Sequence, residues 1–175
     1  MEPANLVFCE RTGRWAVAWR RAWTLALRGG SGAGRGENRR LRVVETRGVS
    51  ECRETLAAMP AAFVAIELAP ASAGAALELL AEVTAKFRGS AAAVLAQAEL
   101  AEYEWLAREL GAVHFVASPR QLPSLVGVVR RHAQRTPAPE LEMRQEIWSR
   151  LPWGDGIQRP AIALGSVGNA LRGVP

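Results

Sequence analysis

The chain has 175 residues, 49% of them hydrophobic and 22% charged, which suits one ordinary core plus a tail. Its apolar runs fall well short of the ~18 residues that suggest a membrane span, and Cys9 and Cys52 are too few for a metal cluster or a disulfide framework. A net charge of +5 suggests polyanion binding, yet the basicity is local: residues 10–42 hold nine Arg against Glu10 and Glu37, whereas residues 43–133 hold eight basic and ten acidic side chains.

In chain order, Asn5-Leu6-Val7-Phe8 is a short apolar run that predicts a buried strand. Gly13 then precedes an amphipathic helix from Arg14 to Arg28. At about 100° per residue, Trp15, Trp19, Trp23, Ala18, Ala22, Ala26, Leu25 and Leu27 share one broad face, with Arg14, Val17, Arg21, Thr24 and Arg28 opposite. Residues 29–40 predict a flexible Gly-rich loop. The loop has no G-x-G-x-x-G, and Arg35-Gly36 stands where a phosphate cradle needs Lys and then Ser or Thr. Leu41-Arg42-Val43-Val44-Glu45-Thr46 predicts a second strand, and Ser50 is placed to cap a helix running to about Ala58.

From Phe63 the alternation is regular, with strands at 63–67, 91–96 and 112–117 separated and followed by helices at 73–87, 99–110 and 123–134. Gly111 marks a helix C-terminal stop, and Pro123 sits where a first helical turn tolerates it. Apolar strands alternating with helices imply a five-stranded parallel sheet covered on both faces. The expected fold is therefore a doubly wound, flavodoxin-like three-layer α/β sandwich over residues 1–134. In residues 135–175, Thr136-Pro137-Ala138-Pro139 reads as a linker, with a short helix at 140–151 and a disordered end expected. Met1-Glu2-Pro3-Ala4 lacks the basic start and apolar stretch of a secretory leader, so a reduced, cytoplasmic setting is expected.

Three strand ends carry the functional argument. Phe63-Val64-Ala65-Ile66 ends in Glu67; Ala92-Ala93-Val94-Leu95 ends in Ala96-Gln97; and Gly111-Ala112 opens a run through Phe115 that closes on Ser118-Pro119. In order and spacing, Asn5 to about His132 resembles a bacterial response-regulator receiver domain. At those strand ends receivers carry a phosphoacceptor Asp, a Ser or Thr, and a Lys followed by Pro. Their first strand ends in two acids, where this chain has Cys9-Glu10. The resemblance implies a fold without its reaction. Glu67 adds a methylene and moves the carboxylate by more than ~1 Å, enough to cost ~100-fold or more in rate. Ala96 offers no hydroxyl, Ser118 offers no ammonium, and Glu10 with Glu67 would hold Mg²⁺ loosely at best. No cofactor and no enzymatic activity are expected. Glu67 has two readings, a partial mimic of a phosphorylated Asp or a solvated strand-end residue. Ser118 reads as a helix cap rather than a nucleophile, and His114 as a satisfied core or interface residue.

The resemblance further implies a regulatory adaptor working through protein–protein contacts. In the family the last two helices and the strand between them commonly form the output or dimer face. That face maps to Ala98–Gln134, with Phe115 at its centre. A second candidate partner or homodimer surface is the stripe of Trp15, Trp19 and Trp23, because three indoles exceed what one sheet face comfortably accepts. The tail adds Ile147, Trp148 and Leu151 as a docking segment. An alternative is a nucleic-acid-associated protein using Arg14, Arg20, Arg21, Arg28, Arg39 and Arg40. A nucleotide-binding crevice at the strand ends is a third class, signalled by retained Mg²⁺.

Overall fold

A computed structural model describes residues 4–29 and 41–135. Five strands form one parallel sheet: β1 (Ala4–Cys9), β2 (Leu41–Thr46), β3 (Phe63–Leu68), β4 (Ala91–Ala96) and β5 (Ala112–Val116). Five helices alternate with them: α1 (Arg14–Gly29), α2 (Val49–Ala58), α3 (Ala73–Lys86), α4 (Glu104–Glu109) and α5 (Leu122–Arg135). The strand order is β2-β1-β3-β4-β5. The doubly wound, flavodoxin-like sandwich expected from the alternation is the fold observed.

The two-residue period of the strands builds both sides of the core. Leu6, Phe8, Phe63, Ala65, Ala93, Leu95 and Val116 pack with α1 and α5. Val7, Cys9, Val64, Ile66, Leu68, Val94 and Ala96 pack with Cys52 and Leu56 of α2 and Leu79, Leu80 and Val83 of α3. β3 is buried along its whole length, as a central parallel strand must be. Among the described residues no helix is long and apolar enough to cross a membrane.

Several local expectations are corrected. Leu25 and Leu27 are 67% and 40% exposed, so the buried stripe of α1 is narrower than an eight-residue face. Ser50 does not cap α2: Gly48 occupies the N-cap, and the Glu51 carboxylate instead accepts from the Arg47 N–H at 2.7 Å. The segment 98–109 is a 3₁₀ turn (Ala98–Tyr103) followed by α4, broken by the non-helical backbone at Leu100. Gly111 does end that segment, at φ +99°, where an added Cβ would lie 2.4 Å from the Thr84 hydroxyl. Residues 30–40, with Arg39 and Arg40, and the tail with Trp148 lie outside the described residues.

Candidate functional site

In an open parallel sheet the crevice forms where the strand order reverses, here between the carboxyl ends of β1 and β3. The fold thus brings Cys9, Glu10 and Glu67 together. They line a cavity of about 110 Å³ with Arg11, Arg47 and Ser72.

Both acids are already engaged. Glu10 is 2% exposed, and its two carboxylate oxygens accept the Trp15 N–H at 2.8 Å and the Ala16 N–H at 2.7 Å. These are orphan donors of the first turn of α1, which has no acid of its own there. Glu10 therefore caps α1 from outside the helix, where the positive end of the macrodipole favours a carboxylate. Glu67 is 8% exposed rather than solvated, which corrects the strand-end reading. It accepts the Arg11 N–H at 2.9 Å, and Arg14 Nε lies 3.5 Å from its other oxygen. The Arg14 guanidinium also meets the Gln97 amide, which spans Arg14 and Glu99 at 3.3 Å each. It lies over the Trp15 ring as well, 5.4 Å from the centroid.

The residues present do not fit the Mg²⁺ that the receiver resemblance implies. A hard cation needs several free oxygens in octahedral array, whereas here backbone N–H groups and a guanidinium hold the carboxylates. Among the described residues no group of three or more His, Cys, Asp or Glu is gathered for a metal. Sequence reasoning assigned Arg14 to a polyanion patch and missed its place in the crevice. Its position at the helix start, one turn beyond Glu10, was the available signal.

The other two strand ends carry Ala96 and Ser118. Ala96 is fully buried beside Leu68. The Ser118 hydroxyl accepts from the Arg120 N–H at 3.4 Å, capping the 3₁₀ turn Pro119–Gln121 that leads into α5. His114 shares a 2.8 Å hydrogen bond with the Ser124 hydroxyl, and burial together with nearby Arg108 pulls its pKa down.

The expected surfaces divide. Trp15 and Trp19 are 1% exposed and belong to the core, not to a partner surface, because α1 lays both rings on the sheet. Phe8 and Trp19 meet at 6.1 Å, and Trp23, half-buried, stacks on Trp19 at 5.7 Å. Phe115 is likewise turned inward. The apolar side chains that face out on α4 and β5 are Trp105, 71% exposed, and Val113, 48% exposed, neither of which the sequence reading singled out. β5, which carries Val113, is an edge strand of the sheet. Within the Arg patch, Arg14 turns to Glu67, and Arg20 pairs with Glu45, which also takes Arg47 at 3.1 Å. Arg21 and Arg28 are exposed.

No family model matches this sequence. No curated protein matches it either. The structural comparison is decisive for the fold. A response regulator from Thermotoga maritima superposes with a TM-score of 0.57 at 16% identity, covering 76% of this chain and 99% of its own. The chain has the receiver-domain fold. A CheY-like protein (tadZ) from Pseudomonas aeruginosa PAO1 gives a TM-score of 0.56 at 15% identity, over 78% of this chain and 98% of that one. A receiver domain protein from Clostridium thermocellum gives 0.54 at 14%, over 75% and 95%. On this receiver fold, the crevice at the ends of β1 and β3 lies where the resemblance placed the phosphoacceptor. It holds the Arg14–Glu67 pair and the Glu10 cap.

Proposed function

We propose that this chain is a signalling or regulatory adaptor, a pseudo-receiver that acts through protein–protein contacts and performs no phosphotransfer. The observation that carries the reading is the contrast between its two functional regions. The acceptor carboxylate is held by Arg11 and Arg14. α4 meanwhile presents a largely exposed indole, Trp105, and β5 an exposed Val113. A Trp left in water on a receiver fold is a contact anchor in waiting, since Trp dominates the energetics of interfaces. In this reading the Arg14 guanidinium supplies permanently the positive charge that a metal would bring, and Glu67 is fixed in one state. Regulation then comes from the partner side.

The test is capture from source lysate with immobilised full-length protein, with nuclease present and at moderate salt. The adaptor reading expects a discrete protein retained by the wild type and lost with Trp105→Ala. Glu67→Gln then asks whether the crevice tunes that affinity. Capture abolished by nuclease and insensitive to Trp105→Ala would move the function to nucleic acid. That second reading draws on exposed Arg21 and Arg28 of α1. It predicts an affinity that falls steeply with salt.

A further inference from the structure

We propose that the face built by α1 and α5 docks the protein peripherally on an anionic phospholipid bilayer. The fold sorts charge by side of the sheet. α1 and α5 pack together on one side, and between them they carry seven Arg and no acid. On the other side α2, α3 and residues 98–109 carry eight acids against Arg53, Lys86 and Arg108. The sequence conceals this, because the arginines of α5 lie far along the chain from those of α1 and only the sheet brings them to one side.

The face is broad and holds few countercharges. At one edge Arg20 pairs with Glu45 of β2, and at the other Ser124 of α5 shares a hydrogen bond with His114 of β5. The two helices therefore span all five strands, roughly 20 Å at the usual strand spacing. Arg14 and Arg20 are tied to Glu67 and Glu45. Arg21, Arg28, Arg131 and Arg135 are exposed and make no ion pair with another described residue.

Aliphatic side chains stand among these cations, and they select the partner. Val17, Leu25 and Leu27 of α1 are 49%, 67% and 40% exposed. Arg20, Arg21, Thr24 and Leu25 frame one open hollow of about 440 Å³, so guanidinium and aliphatic groups meet the same approaching surface. A bilayer interface takes both at once: Arg meets the phosphates, and Leu and Val enter the boundary between headgroups and acyl chains. Each Arg brought to an anionic leaflet contributes about fivefold in affinity. Single-stranded nucleic acid instead stacks on exposed aromatic rings. The indoles of α1 are turned to the sheet, Trp15 and Trp19 buried and Trp23 half-buried. A protein partner draws specificity from charges of both signs, and these two helices offer one sign only. The face is distinct from α4 and its Trp105, which belong to the other side of the sheet, and lipid binding neither requires nor excludes a protein partner there.

The test is sedimentation of the full-length protein with vesicles of phosphatidylcholine, either alone or with about 30% phosphatidylglycerol. The expected result is sedimentation with the anionic vesicles only, reversed at about 0.5 M salt. Arg21→Glu with Arg28→Glu should weaken it about tenfold or more, and Arg131→Glu with Arg135→Glu by a similar factor, since both helices form one face. Lys86→Glu with Arg108→Glu makes the same change in net charge on the opposite side and should stay within about twofold. Leu25→Ser should cost about threefold. Urea midpoints of the variants, expected unchanged, separate lost docking from a lost fold. No sedimentation with anionic vesicles, equal sedimentation with neutral ones, or equal losses from the two sides of the sheet would each overturn the proposal. Binding to a duplex or single-stranded oligonucleotide in place of the vesicles would also overturn it and give the face to nucleic acid. The wild-type comparison of the two vesicle compositions decides even where a variant fails to fold.

Discussion

Glu10 shows how an acid at a strand end can serve the fold as a helix cap. Its position was legible, because a strand end followed by an acid is visible in the sequence. Its task was not, because the two amides it serves lie five and six residues further on, across a turn. The same holds for Glu67, whose partners Arg11 and Arg14 lie 56 and 53 positions away, the former as a backbone donor. Hydrophobic periodicity says nothing about which charged groups a crevice assembles. Replacing Glu10 with Gln keeps the shape but gives one helix amide an NH₂ instead of an oxygen. Urea unfolding should then show a loss of about 1–3 kcal/mol, the cost of a buried donor left unpaired. An unchanged midpoint would mean that the cap contributes nothing.

The elements themselves were the most legible part, for a plain physical reason. A strand buried on both faces must be apolar at every position, and such runs stand out, so β4 matches its expected span residue for residue. Helix faces were less legible. Placing residues by angle alone set Leu25 and Leu27 with the tryptophans, yet only the Trp15, Ala16 and Trp19 side of α1 is fully covered by the sheet. Conversely Trp105, set among Glu102, Glu104 and Glu109, gave no periodic signal and is the exposed ring. These two indoles should separate cleanly in a stability assay. Trp19→Ala is expected to cost about 3–5 kcal/mol through lost burial and a cavity. Trp105→Ala should stay within about 0.5 kcal/mol, as a surface truncation does. Equal losses would place Trp105 in a packed environment and remove the contact face from the account.

At the largest scale, the described residues have the receiver-domain fold, and the proposed function holds that its phosphoacceptor crevice is closed. Its stability should carry a pH signature from His132 of α5. His132 packs edge-on against Phe63 with ring centroids 5.5 Å apart and bonds the Ala61 carbonyl oxygen at 3.2 Å. Burial lowers its pKa below the ordinary 6.5, only partly offset by that bond, so the folded state favours the neutral ring. The unfolded chain binds the proton first, so stability is complete above about pH 6.5 and falls as pH drops toward the folded pKa. His114 adds in the same direction. Urea midpoints at about pH 7.5 and 5.5 should differ in wild type and draw closer in His132→Gln, with His114 keeping a remainder; an unaltered difference would assign the effect elsewhere. The central claim is that the acceptor site is closed to phosphotransfer. Its most direct test is the intact mass of the full-length protein after incubation with Mg²⁺ and an acyl phosphate, read alongside a competent receiver. The account predicts an unchanged mass under conditions that modify the control. A gain of about 80 Da mapping to Glu67 and removed by hydroxylamine would contradict it.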